Sequence, residues 1–91
     1  MDIARWSSSQ LSGYTGIQGD HNVMTVKNVQ TQVVSGVNYK FTLELLVASA
    51  DNKYYFRTCD LLVNDQAWTN TRTLLSAQCR KTYPLVEDFP Q

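Results

Sequence analysis

Few side chains in this chain could do covalent or metal chemistry. The single histidine, His21, sits in the stretch Gly19-Asp20-His21-Asn22, and the two cysteines are Cys59 and Cys79. Asp20, His21 and Asn22 offer at most a weak cation site, because a held zinc takes three or four protein ligands. One His beside one carboxylate reads as a solvated loop, so no metal is expected. No glycine-rich phosphate loop follows a candidate strand, and no Asn-x-Ser/Thr acceptor occurs. The cysteines have two readings. Pairing them would close one long hairpin; otherwise they are two buried free thiols.

The chemistry that stands out is that of a binding surface. Gln32-Val33-Val34-Ser35-Gly36 lies between two extended runs. Ser-Gly between such runs is a turn signal. Valines on the approach to a turn are unusual, since tips are commonly polar. They suggest a surface meant to be covered by something else. Gly36 lets backbone come close to a partner, and valines lose little rotamer entropy on contact. Gln32 can hydrogen-bond without carrying charge into a desolvated groove. Further on, Gln66-Ala67-Trp68 holds a tryptophan of the kind that anchors interfaces. The other reading of Trp68 folds it back onto the sheet as core, and Gln32 to Gly36 could be an ordinary hairpin tip.

The elements that must position these residues follow from periodicity. After the tip, Val37, Tyr39, Phe41, Leu43 and Leu45 alternate with Asn38, Lys40, Thr42 and Glu44. That is the period of a strand with one buried and one wet face. Strands are expected over 23–34, 37–47, 53–63 and 71–79. In the last, Thr71, Thr73, Leu75, Ala77 and Cys79 share a side. Residues 2–12 read as a short helix with Trp6 as its core anchor, stopped near Gly13. A loop through Gly13, Gly16 and Gly19 runs to about Asn22. The pattern is α+β: one N-terminal helix packed on the apolar face of a four-stranded antiparallel β-sheet.

The totals bound what such a domain can be. Ninety-one residues allow one domain, 1–91, with 80–91 as tail or linker. Apolar residues make up 43%, enough to fold. Eight basic and eight acidic residues cancel with no basic stripe, so neither nucleic acid nor an anionic membrane is an expected partner. No apolar run approaches the roughly 20 residues of a transmembrane helix. Met1-Asp2-Ile3 has neither the basic start nor the apolar segment of a signal peptide. The chain is therefore expected to be intracellular, or a mature or trimmed chain.

Together these features resemble the cystatin family of inhibitors of papain-like cysteine proteases. The family's first loop has the form Gln-x-Val-x-Gly, and Gln32, Val34 and Gly36 match it. Its second loop usually carries Pro-Trp; here it is Ala67-Trp68, a half match. Secreted members bracket that loop with a disulfide, which Cys59 and Cys79 reproduce; the resemblance spans roughly residues 3 to 79. It implies a cystatin-like fold and a Cys59–Cys79 bond worth roughly 3 kcal/mol in chain entropy. That bond would leave no thiol for a Cys–His nucleophile, so an enzyme is not expected, nor any cofactor. The resemblance further implies a secreted or extracellular setting. It implies a reversible competitive inhibitor of cathepsin-type proteases, whose two loops, Gln32, Val33, Val34, Ser35, Gly36 and Ala67, Trp68, form a wedge. The family's glycine-containing arm before the helix has no matching position, so that arm is expected to be missing. A cystatin-like interaction or pro-domain module without inhibition is the alternative. The expected state is a monomer, with a domain-swapped dimer accessible if the first tip straightens.

Overall fold

The computed structural model describes residues 2–82 and 89–90. The chain opens with helix α1 (Asp2–Ser8) and a single helical turn, α2 (Ser12–Thr15). Four long strands follow: β1 (Gly19–Val34), β2 (Gly36–Ser49), β3 (Lys53–Gln66) and β4 (Thr71–Lys81). They form an antiparallel sheet in chain order, and a two-residue strand, β5 (Phe89–Pro90), pairs with Lys53 and Tyr54 of β3. Arg80 and Lys81 thus complete β4. The rest of the expected tail, 83–88 and 91, lies outside the described residues. Among the described residues, no helix is long and apolar enough to cross a membrane.

The strands form where the alternation says they should, because one face of the sheet is covered. Phe41, Leu43, Leu45 and Val47 of β2 meet Cys59, Leu61 and Val63 of β3 in the core. Ile3, Ala4, Leu11 and Ile17 close it from the helical side, with Trp6 packed at its margin. Burying each large apolar side chain contributes about 1.5–3 kcal/mol. The opposite face is polar: Thr42 Oγ1 donates to Asp60 Oδ1 at 2.7 Å, and Arg80 Nη1 donates to Asp60 Oδ2 at 2.6 Å.

Three expectations need correction. The helix expected over 2–12 ends at Ser8. Ser8 and Ser9 hydroxyls donate to the Arg5 and Trp6 carbonyls at 2.8 and 2.5 Å. The backbone N–H groups of Ser9, Gln10 and Leu11 then bond three residues back, tightening the turn out of α geometry. Gly13 lies inside α2, and the stop is Gly16, in the left-handed region at φ 72°, donating to Ser12 O.

The loop expected at Asp20-His21-Asn22 belongs to β1, which starts at Gly19 and pairs with the end of β2. His21 is half-buried there. Its Nε2 lies 2.8 Å from Thr15 Oγ1 and its Nδ1 3.0 Å from Gly19 O, so both ring nitrogens have neighbours within the protein.

The alternation expected along β4 breaks at Leu75. Leu62 faces Ser76 and Val63 faces Leu74, which leaves Leu75 as an exposed bulge. The phase flips, so Leu74 packs on the core along with Ala77 and Cys79, while Thr71 and Thr73 face solvent. The other edge strand, β1, is interrupted at Met24 and again around Asn28 and Val29, with Asn28 at φ 57°. Bulges on both edges discourage further strand pairing.

Candidate functional site

From Lys27 onward every residue of β1 is exposed, so its last eight residues form an uncovered edge that runs to the hairpin tip. The tip is as tight as a hairpin allows. Val34 pairs with Gly36, and Ser35 alone turns the chain. Gly36 adopts φ 94°, in the region that disfavours side chains. A Cβ there would lie 2.5 Å from Asp65 O and 2.9 Å from Gln66 Cγ. Gly36 is therefore buried against the end of β3, and the first tip rests on the stalk of the second hairpin.

Two side chains of that stalk enforce the contact. Asn64 Nδ2 donates to Ser35 O at 3.2 Å and to Asn38 Oδ1 at 2.9 Å. Gln66 Nε2 donates to Ser35 O at 3.1 Å. Asp65 Oδ1 accepts from Arg72 Nε at 3.4 Å, and the Arg72 guanidinium lies 5.7 Å from the centre of the Trp6 ring. The helix margin, the start of β4 and the end of β3 are thus tied beneath the two tips.

The second tip closes on itself. Ala67–Thr69 form a 3₁₀ turn, and Asn70, at φ 53°, donates its N–H to Ala67 O at 3.1 Å. Thr69 Oγ1 donates to Gln66 O at 3.2 Å. Cys59 and Cys79 face each other across β3 and β4 and are joined by a disulfide at the base of this hairpin. Neither cysteine is free.

The structure brings the sequence-predicted stretches Gln32–Gly36 and Ala67–Trp68 to one end of the sheet. Val33 is 84% exposed, Val34 44% and Trp68 67%. Gln32 lies opposite Asn38 and is exposed with them. Neither tip contains an ionisable residue. The tips can therefore enter an apolar or hydrogen-bonding groove without stripping water from a charge. Among the described residues, no group of three His, Cys, Asp or Glu is placed to hold a metal ion.

A cystatin-domain family model matches residues 9–80. The chain belongs to the cystatin family. No curated protein matches it. Cystatins are protease inhibitors rather than enzymes, and the short N-terminal helix on a four-stranded antiparallel sheet is the cystatin fold. Sequence reasoning missed Asn64, Asp65, Gln66 and Arg72 as parts of this end of the cystatin sheet. The strand expected over 53–63 stops short of Asn64, Asp65 and Gln66, because Asn and Asp favour turns. The available signal was strand length: the run beginning at Val37 needs a β3 partner extending past Val63.

Proposed function

We propose that this cystatin is a reversible, competitive inhibitor of papain-like, cathepsin-type cysteine proteases. In this reading Gln32–Gly36 and Ala67–Trp68 enter the active-site groove as a two-loop wedge. The observation that carries it is the convergence of exposed Val33, Val34 and Trp68 on two uncharged tips at one end of the sheet. Isolated exposed apolar residues are ordinary, but three on adjoining tips make a surface suited to burial against a partner.

The mechanism is steric. The valines and the indole lose water on contact, Gly36 allows backbone to approach, and the groove is filled without a bond being placed for cleavage. The Cys59–Cys79 bond suits an oxidising compartment, so the protein acts outside the cytosol, secreted or extracellular. It acts as a monomer. A domain-swapped dimer that straightens Ser35 into a continuous strand would lose the first loop.

The test is a titration of papain with the wild-type protein, Trp68→Ala and Gly36→Arg. Competitive inhibition weakened in both variants supports the wedge. A folded monomer that leaves papain untouched overturns it and leaves a cystatin-like interaction module.

A further inference from the structure

We infer that Gln66, together with Asn64, is a positioning residue of the wedge: it locks the first tip onto the second before any protease arrives. The inference rests on the two-loop reading above. Ser35 O accepts from Asn64 Nδ2 at 3.2 Å and from Gln66 Nε2 at 3.1 Å. A carbonyl oxygen has two lone pairs, so this one is fully engaged. Gln66 Nε2 also lies 3.4 Å from Ser35 Oγ. The other end of the same amide faces the second tip, where Gln66 Oε1 accepts from Thr69 Oγ1 at 3.4 Å. One side chain therefore spans both tips.

The first tip needs such a hold. Its residues from Gln32 to Ser35 are exposed, and the nearest core residue of β2 is Phe41. A loop left to itself must be ordered when it binds, and that entropy is subtracted from affinity. The lock works only because Gly36 has no Cβ to push the end of β3 away.

Gln66→Glu separates the two bonds. Glutamate keeps the shape and the acceptor facing Thr69, but the ionised carboxylate has no proton for Ser35 O and repels it. Protonation restores a donor as pH falls to about 4, near the ordinary glutamate value. At pH about 7 the inhibition constant should rise about tenfold over wild type, the scale of a lost hydrogen bond plus repulsion. The ratio should return toward one near pH 4. Asp65 and Arg72 are the charged groups beside Gln66, and wild type measured at each pH cancels what they and the protease contribute. Hydrogen exchange of the Val33–Gly36 amides should quicken in the variant at pH about 7 while its thermal midpoint stays unchanged.

Unchanged inhibition ratio and unchanged exchange overturn the inference. If wild type itself fails to inhibit, the two-loop reading falls, and exchange alone decides the lock. Faster exchange upholds it and equal exchange overturns it. Should Gln66→Glu not fold, Asn64→Asp carries the same test at the other donor.

Discussion

The two tips are built on opposite principles. The second closes through its own residues: Asn70 N–H to Ala67 O, Thr69 Oγ1 to Gln66 O, and Thr71 Oγ1 to Thr69 O. The first has a single turning residue, and its shape is imposed by Asn64 and Gln66 from another strand. Dependence therefore runs one way. Damage at Gln66, at the end of β3, should disturb both tips, while damage to the first tip should leave the second intact.

The largest expected effect comes from Gly36→Ala, which breaks the first tip without touching the second. Alanine at φ 94° carries about 1–3 kcal/mol of backbone strain. Its Cβ would also overlap Asp65 O, so β3 and the first tip must part. Inhibition of papain should fall by more than about a hundredfold, the factor that about 3 kcal/mol represents. Exchange at Thr69 and Asn70 should stay as in wild type. Equal inhibition by Gly36→Ala would remove the first tip from the wedge.

Next is the disulfide, which holds the base of the second hairpin. Reduction or a Cys79→Ser variant should cost about 3 kcal/mol for a loop of this size. In a domain this small that lowers the melting midpoint by more than about 10 °C. Well below that midpoint, inhibition should change little, because the tip is closed by bonds of its own.

Trp68→Ala tests the second tip's share of binding. Because Trp68 is 67% exposed, the melting midpoint should not move. Papain inhibition should weaken by about 2 kcal/mol, or roughly thirtyfold. A smaller change sharpens the comparison in the other direction, placing the affinity in the first tip. Ala67→Pro should act the opposite way. Position 67 opens a helical turn after an extended residue, where proline fits. A gain of about 0.5 kcal/mol in stability and a severalfold tighter inhibition constant are expected.

What could be seen in the sequence divides along the same line. The turns at Gln32–Gly36 and Ala67–Trp68 were legible because each stretch interrupts two extended runs. The buried alternation of β2 was legible because Phe41, Leu43, Leu45 and Val47 answer to one covered face. The bulge at Leu75 was not, since one extra residue inverts the phase of everything before it without altering composition. Nor was the early end of α1. Ser8 and Ser9 have modest helix propensity, and only the geometry shows their hydroxyls capturing the Arg5 and Trp6 carbonyls. The hold of Asn64 and Gln66 on Ser35 joins residues some 30 positions apart, by 29 and 31 respectively, which no local pattern reports.

The smallest expected effect lies in the middle of the sheet, far from either tip, and asks whether the tips are insulated from it. Asp60 accepts from Thr42 Oγ1 and, at its other oxygen, from Arg80. The Thr42 hydroxyl chiefly holds its carboxyl below the usual value; burial opposes it, and the Arg80 guanidinium and Lys40 add to the lowering. A carboxyl lowered in the folded state favours folding above its unfolded value of about 3.9. That contribution fades as pH falls below this value and through the folded one. The side chain is 49% exposed, so solvent screens the pair and the effect is small. Asp60→Asn should therefore flatten the acid side of the stability curve below about pH 4 and lower stability slightly at neutral pH. Its inhibition of papain should match wild type, since Thr42, Asp60 and Arg80 touch neither Ser35 nor the turn at Ala67–Thr69. An Asp60→Asn protein that inhibits less well at unchanged stability would mean that the sheet centre reaches the tips through β3. The one-way dependence drawn from Asn64 and Gln66 would then extend along the whole strand.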